Sequence, residues 1–322
     1  MPEGVTDGGE LHQSLEPGSA AKPDENPDAV TGPVSESERI TSLDVLRGVA
    51  VLGILTRNVG SFAMPAAAYF NPTVGSDYAG LDRVVYQITH VLFDLKFMAI
   101  FSMLFGAGIV LMSERRGRDE RPSAGLHYRR MGWLLVFGML HAYLIWYGDI
   151  LVAYALCGCL VYLFRRLRPR TLVVLGLLAM APASLLLLGA GLSLPYWPAE
   201  TVAEVSAELA PPPEAVEAES AGYRGGFDDQ MRYRTAAALQ MQTETFFFFM
   251  AWRVTGLMLL GMALFKLDVL AAARSDGFYR RWITAALFVG VPVIIFGLHV
   301  NDGRDCRMPE SFFLGLHYNY WG

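Results

Sequence analysis

The chain has 322 residues, of which 53% are hydrophobic and only 18% are charged, and its mean hydropathy is +0.33. Charged residues make up about 25% of an ordinary soluble domain, so this composition excludes a typical soluble protein. The formal net charge of -5 is unevenly distributed: residues 1–38 carry -8 and residues 199–244 carry -6, which leaves +9 on the rest of the chain.

The sequence lacks the residue patterns that several classes of function require. The three cysteines, Cys157, Cys159 and Cys306, form no even-numbered disulfide framework and have no spacing with histidines that is typical of a zinc site. The arginines cluster beside apolar segments and form no interleaved basic stripe, so the sequence predicts no nucleic-acid partner. We therefore expect neither a bound metal nor a tightly bound cofactor.

Residues 1–38 combine five prolines with many Gly, Ser, Asp and Glu residues. They lack the basic and apolar regions of a secretory signal. This composition predicts a disordered acidic tail that starts in the cytoplasm.

Apolar runs of roughly 20 residues then follow, long enough to cross a hydrocarbon core of about 30 Å as helices. The seven predicted spans are 42–63, 84–112, 130–147, 149–165, 171–194, 246–268 and 281–300. We predict an all-α fold, a polytopic transmembrane helix bundle with about seven complete spans plus the start of an eighth near Ser311. Its regions are a five-helix N-terminal membrane region at 39–194, an extracytoplasmic loop at 195–245 and a C-terminal membrane region at 246–322, which we expect to be truncated.

Arginine and lysine concentrate in alternate loops, at 113–130, 165–170 and 266–281. Because short cytoplasmic loops are enriched in these residues, the pattern predicts a multi-pass protein of the plasma (inner) membrane with a cytoplasmic N-terminus. The lipid bilayer is thus the expected partner, whereas the oligomeric state stays open.

Ionisable residues inside spans are costly, at about 2.5–3.5 kcal/mol near a helix centre, and they tend to be functional. In the first span Asp44 and Arg47 are three residues apart, so they share a face, and a local ion pair that seats the helix is the structural interpretation. Arg57 and Asn58 follow toward the outer end of that span and are candidate substrate-binding residues.

The second span holds His90 and Asp94, which are four residues apart and share a face, with Lys96 half a turn away. A carboxylate beside an imidazole raises its pKa and selects its tautomer, as a proton-handling histidine requires. A purely structural hydrogen bond between two buried groups is the alternative. His90 is thus a candidate catalytic residue, and Asp94 and Lys96 are candidate substrate-binding residues.

The third and fourth spans form a predicted hairpin with the sequence HAYLIWYGD, from His141 to Asp149, in which Gly148 permits a tight reversal. We select His141 as a candidate base and Asp149 as the carboxylate that orients it. A packed core histidine and a helix N-cap are the structural alternatives. Arg253, in the sixth span, is a further candidate substrate-binding residue.

Five segments of the sequence together resemble the DUF418 family of bacterial multispan proteins, which includes YeiB-like proteins. The strings that carry the resemblance are RITSLDVLRGVAVLGIL, FAMPAAAYFNP, KFMAIFSMLFGAG, RRMGWLLVFGMLHAYLIWYGDILVAYAL and RVTGLMLLGMALFKLDVL. The opening SLDVLRG is also similar to heparan-alpha-glucosaminide N-acetyltransferase-like proteins and, more loosely, to the acyltransferase-3 group. Arg57 departs from the family pattern, in which an apolar residue usually precedes the asparagine.

The resemblance implies a fold of about ten spans and transfer of an acyl group from a cytoplasmic donor, with a membrane histidine as base. We therefore expect an acyltransferase with acyl-CoA as a candidate donor substrate and His141 or His90 as base. A small-molecule or proton-coupled transporter, with His90, Asp94 and Lys96 as its relay, is the alternative. The inner arginines could hold the phosphates of the donor, although the positive-inside bias alone accounts for them.

Overall fold

The structure is a computed structural model that describes residues 40–118, 123–303 and 309–321. The predicted tail at 1–38 lies outside the described residues, as does Cys306. Helices make up most of the described part of the chain, and no strand occurs within it. The predicted all-α class is therefore confirmed.

Thirteen α-helices occur within the described ranges, joined by short 3₁₀ and π turns. They are α1 (Thr41–Ala63), α2 (Gly80–Leu92), α3 (Lys96–Arg118), α4 (Ser123–Leu140), α5 (Leu151–Val161), α6 (Pro169–Ser193), α7 (Ala199–Leu209), α8 (Pro213–Arg224), α9 (Phe227–Gln240), α10 (Ala251–Lys266), α11 (Asp276–Ala285), α12 (Val291–Gly303) and α13 (Pro309–Tyr320).

Five helical segments of the described chain are long and apolar enough to cross a membrane. They are Thr41–Ala63, Gly80–Glu114, Pro169–Tyr196, Phe227–Lys266 and Asp276–Val300. They contain or overlap five of the seven predicted spans. The third predicted span, 130–147, covers the second part of α4 and the π turn His141–Ile145 that follows it. The fourth predicted span, 149–165, contains the shorter apolar helix Leu151–Phe164. The count of seven spans thus stays a prediction.

Large apolar side chains lie exposed along these helices. Leu52 of α1 is 66% exposed, Leu178 of α6 is 62% exposed and Phe288, beyond α11, is 76% exposed. Water-soluble monomers rarely expose apolar surface on this scale, because each such group would lose its burial energy. The helix lengths and the apolar exterior are consistent with an integral membrane protein.

The segment predicted as an outer loop, 195–245, is helical over most of its length. It contains α7, α8 and α9, and Pro213 is the first residue of α8, where a missing N–H costs nothing. The helix α9 continues through a π-helical stretch, Met241–Met250, into α10. The apolar segment that contains α10 therefore begins well before residue 246.

The core of the bundle is α10, which packs against α3 and α6. Its inward side buries Val254, Met258 and Met262, which are all fully enclosed. Glycines let the backbones approach: an added Cβ on Gly106 of α3 would overlap the Met258 carbonyl oxygen, and one on Gly261 would overlap that of Met103. Membrane helices use small residues in this way, because van der Waals packing drives their association.

Hydrogen bonds at two places join helix ends that the sequence predicts to lie on the arginine-rich side of the membrane. The Ser42 hydroxyl of α1 donates to the Leu270 carbonyl at 3.0 Å. The Lys266 ammonium at the end of α10 donates to the carbonyls of Arg165 and Leu167 at 2.7 and 2.9 Å. We call this side of the bundle the arginine-rich end.

The second predicted span is interrupted between α2 and α3. Leu95 has a φ of 62°, in the left-handed region that residues with a Cβ rarely adopt. The preceding backbone N–H groups of Phe93 and Asp94 both bond to the Thr89 carbonyl. The break turns Asp94 into the bundle at the point where the two helices meet.

We predict that Gly106→Ala lowers the free energy of unfolding by about 1–3 kcal/mol, because the new methyl group forces α3 away from α10. Gly108→Ala is the matched control, since an added Cβ there meets nothing within 4 Å. Thermal unfolding in detergent micelles measures both variants. Equal melting temperatures for the two would contradict the close-packing assignment.

Candidate functional site

The carboxylate of Asp94 lies at the centre of a buried polar cluster. Arg57 Nε of α1 donates to Asp94 Oδ1 at 3.1 Å, and His90 Nδ1 of α2 lies 3.3 Å from Oδ2. The Asp94 side chain is only 8% exposed and that of Arg57 is 14% exposed. A carboxylate that is removed from water in this way needs such partners, because an unpaired buried charge is strongly destabilising.

Asn319 connects this carboxylate to Lys96. Its side-chain N–H donates to Asp94 Oδ2 at 2.9 Å, and its Oδ1 accepts from Lys96 Nζ at 2.5 Å. Lys96 also donates to the His90 carbonyl at 3.2 Å. We call these five residues, Arg57, His90, Asp94, Lys96 and Asn319, the Asp94 network; it joins α1, α2, α3 and α13.

Tyr69 completes the surroundings of Arg57. The guanidinium carbon lies 3.7 Å from the centre of the Tyr69 ring, and Nη2 donates to the Tyr69 carbonyl at 2.6 Å. Burial, together with the nearby negative charge of Asp94, raises the pKa of Tyr69 to about 12. The phenol is therefore neutral at physiological pH, and the positive charge of Arg57 is shared between an aromatic face and a carboxylate.

A small cleft borders the network between α2, α12 and α13. Its walls include Tyr86, His90, Asp94, Leu298 and Asn319, and its volume is about 40 Å³. That volume suits a few water molecules at most and is far below the roughly 300–1,000 Å³ of a small-molecule pocket. The cleft can hydrate the network but cannot hold a substrate in this conformation.

Arg253 lies next to the network and is 2% exposed. Its Nη2 and Nε reach the carbonyls of Leu95 and Tyr320, both at 3.4 Å, and Nη1 has no partner among the described residues. Leu95 is the residue of the helix break, and its carbonyl also accepts from the Ala99 backbone N–H at 3.0 Å, at the start of α3. Arg253 thus links α10 to the break and to α13.

A second polar pair lies beyond the C-terminus of α4. His141 opens a π turn, His141–Ile145, and its Nδ1 lies 3.0 Å from Asp149 Oδ1. The other carboxylate oxygen of Asp149 accepts a 2.8 Å hydrogen bond from the Val152 backbone N–H of α5. One carboxylate oxygen therefore caps helix α5 and the other contacts the histidine. Both interactions that the sequence offered as alternatives for Asp149 occur together.

The exposure of this pair is uneven. The Asp149 side chain is 1% exposed, whereas that of His141 is 31% exposed. With Nδ1 donating to the carboxylate, Nε2 carries a lone pair, and it has no hydrogen-bond partner within the described part of the chain. This is the arrangement that lets an imidazole accept a proton from another molecule.

A glycine is required at position 148 because there is no room for a side chain. An added Cβ would overlap the Trp146 ring, which in turn packs edge-on against Phe62 of α1 at 4.9 Å between ring centres. No positive φ occurs at Gly148, so the predicted conformational reason is replaced by a steric one. The packing holds the turn between His141 and Asp149 against α1.

The remaining predicted residues join neither cluster. Asp44 and Arg47 form the expected i,i+3 pair at 3.1 Å, half exposed, at the arginine-rich end. Asn58 follows Arg57 on α1 and has no polar partner among the described residues. Within those residues no hydrogen bond or ion pair joins the Asp94 network to the His141–Asp149 pair.

Sequence reasoning missed Asn319 and Tyr69. Asn319 lies more than 220 residues from Asp94 and is 1% exposed, and only its position in the apolar string before the end of the chain marks it. Tyr69 lies in the short 3₁₀ turn Ala66–Tyr69 after the first span. Its aromatic neighbours in the sequence gave no sign of a cation partner.

The long apolar helices and the buried ion pair indicate an integral membrane protein of the all-α class. The chain is 38% identical over 151 residues to the uncharacterised protein YxaH of Bacillus subtilis, which covers 44% of this chain and 36% of that protein. It is 39% identical over 121 residues to the uncharacterised protein YeiB of Escherichia coli, which covers 38% of this chain and 30% of that protein.

A third relative is the uncharacterised 39.9 kDa protein in the amylase 3' region of Bacillus acidopullulyticus, 33% identical over 136 residues, or 42% of this chain and 37% of that protein. The matched part of the chain spans about a third of the length of each of these curated relatives. The relatives support a relationship to a YeiB-like family. No family model matches the chain, and no solved structure matches it.

We predict that Asn319→Leu lowers the free energy of unfolding by about 1–3 kcal/mol, because it removes a partner from both Asp94 and Lys96 at once. Trp321→Phe is the control; it lies two residues away, is 48% exposed and loses only its 2.8 Å bond to Ser184 Oγ. Differential scanning calorimetry compares the two. A smaller loss for Asn319→Leu than for the control would contradict the bridging role.

Proposed function

We propose that the protein is a transmembrane acyltransferase in which His141 is the general base and Asp149 orients it. The observation that carries the proposal is the geometry of the pair: a buried carboxylate 3.0 Å from Nδ1 and a partly exposed ring whose Nε2 is open. This combination suits proton abstraction from an acceptor that approaches from outside the helix bundle.

The proposed reaction is a simple exchange at an acyl carbonyl. His141 Nε2 takes the proton of an acceptor hydroxyl or amine as the acceptor atom attacks the carbonyl carbon of an acyl thioester, such as acyl-CoA. The thiolate then leaves and takes the proton from the imidazolium. Asp149 holds the ring and stabilises its transient positive charge. General-base catalysis by the oriented histidine contributes about 100- to 10,000-fold to the rate.

His141 suits this role better than His90 because the carboxylates differ. Asp94 is already neutralised by Arg57 and bonded by Asn319, so it has less negative charge to stabilise an imidazolium at His90. Among the described residues, Asp149 has no arginine or lysine within hydrogen-bond distance. The His90 side chain is also only 18% exposed, against 31% for His141.

A proton-coupled transporter is the second candidate, and the helix break at Leu95 is the observation that favours it. Interrupted membrane helices beside buried charges are typical of transporter binding sites. The Asp94 network would then act as the relay, with Asp94, His90 and Lys96 exchanging protons. The cleft of about 40 Å³ is too small for a substrate and makes this the weaker proposal.

We also propose seven spans in the plasma membrane, with the N-terminus in the cytoplasm. The proposal is supported by the shared location of the helix ends that carry Arg47, Arg165 and Lys266 and by the positive-inside bias.

His141→Ala tests the enzyme proposal. Purified full-length protein in lipid vesicles is incubated with labelled acetyl-CoA and cell-envelope extract, and transfer of label is counted. We expect a loss of at least 100-fold in His141→Ala, because the base is removed. Asp149→Asn, which keeps an N-cap oxygen, is expected to lose activity while its melting temperature stays close to that of the parent.

His299→Ala is the matched control, since this exposed histidine of α12 belongs to neither cluster. Transfer that survives unchanged in His141→Ala would contradict its role as base. Absence of transfer in the parent protein, together with proton-coupled uptake into the vesicles that Asp94→Asn abolishes, would favour the transporter.

A further inference from the structure

A cavity lies at the arginine-rich end, between α1, α3 and α4, and neither the Asp94 network nor the His141–Asp149 pair lines it. Its volume is about 300 Å³. Most of its wall is apolar and comes from Phe101, Leu104, Phe105, Ile109 and Met112 of α3 and Met131 of α4. Arg47, His127 and Arg130 supply the polar part of the lining.

The arginines at this cavity carry positive charge that the described residues compensate only in part. Arg130 is exposed, and its recorded contact is to the thioether sulfur of Met112 at 2.8 Å, which carries no charge. Arg47 donates to Asp44 through Nη1, and its other guanidinium N–H groups have no hydrogen-bond partner among the described residues. Two guanidinium groups beside an apolar wall favour an anionic group that is attached to an apolar chain.

His127 adds a more specific requirement. The ring is fully buried and stacks on Tyr162 at 4.2 Å between ring centres, and its Nε2 lies 3.1 Å from the Gly158 carbonyl. Because a carbonyl only accepts, Nε2 carries the proton and Nδ1 is left as an acceptor. No described residue donates to that buried Nδ1.

The protonation state of His127 agrees with this assignment. Burial lowers the pKa of His127 below its ordinary value, so the ring is neutral at pH 7. A buried acceptor without a donor is uncommon in folded proteins and indicates a missing partner. The missing partner must bring a hydroxyl or another donor.

We propose that this cavity binds an anionic phospholipid whose head group carries a free hydroxyl, with phosphatidylglycerol as the fitting class. Arg47 and Arg130 bind the phosphate, His127 Nδ1 accepts from a head-group hydroxyl, and an acyl chain lies along the Phe101–Ile109 wall. Basic pockets between membrane helices are known sites for anionic head groups. The site does not depend on the acyltransferase proposal, and the lipid is a ligand with no covalent step.

Lipid titration of the purified full-length protein in detergent tests the site. Native mass spectrometry measures the bound fraction of phosphatidylglycerol, phosphatidylmethanol and phosphatidylcholine, and thermal unfolding follows the stabilisation by each. We expect one phosphatidylglycerol to bind, with phosphatidylmethanol weaker because it lacks the hydroxyls and phosphatidylcholine weaker still because its head group has no net charge.

Variants separate the two polar contributions. Arg47→Gln and Arg130→Gln are each expected to weaken phosphatidylglycerol binding about fivefold, since one arginine near a membrane surface contributes about 1 kcal/mol. His127→Phe keeps the stacking on Tyr162 and is expected to remove the preference for phosphatidylglycerol over phosphatidylmethanol. Arg170→Gln, at an exposed arginine that does not line the cavity, is the control.

Three results would overturn the proposal. Equal binding of phosphatidylcholine would show an unspecific apolar groove, and equal protection by inorganic phosphate alone would show a free-anion site. An Arg130→Gln variant that binds phosphatidylglycerol as tightly as Arg170→Gln does would remove the arginines from the site. If His127→Phe fails to fold, the two arginine variants still decide the question.

Discussion

A single buried carboxylate holds four helices of this protein together. Asp94 accepts from Arg57 of α1 and Asn319 of α13 and lies beside His90 of α2, while Lys96 of α3 bonds to the same asparagine. An unpaired charge at this depth would be costly in hydrocarbon, so each partner is required by the others. The left-handed backbone at Leu95 interrupts the helix beside the carboxylate, and Arg253 donates to the Leu95 carbonyl.

Three polar clusters in the described part of the chain differ in how completely their groups are paired. The Asp94 network is nearly saturated with partners and has a structural role in this account. The His141–Asp149 pair keeps one open nitrogen and is suited to chemistry with another molecule. The cavity at the arginine-rich end has open donors and one open acceptor, and is suited to binding a polar head group.

The helix period predicted much of this arrangement and could not predict the rest. The spacings His90–Asp94 and Asp44–Arg47 follow from local geometry, and both pairs are in contact. His141 and Asp149 also meet because a short turn limits how far apart they can lie. By contrast, Asn319, Tyr69 and the open Nδ1 of His127 depend on contacts between distant helices, for which no local pattern exists. The predicted boundary at residue 246 also differs from the structure, in which α9 continues through a π-helical stretch into α10.

A double-mutant cycle on Arg57 and Asp94 tests most directly whether this ion pair organises the bundle. The free energies of unfolding of Arg57→Gln, Asp94→Asn and the double variant are compared with that of the parent in the same detergent. We predict that each single variant is strongly destabilised and that the double variant loses about 1–3 kcal/mol less than the sum of the two single losses. If the two single losses sum to the loss of the double variant within about 0.5 kcal/mol, the two residues act independently, and the organising role of the ion pair is contradicted.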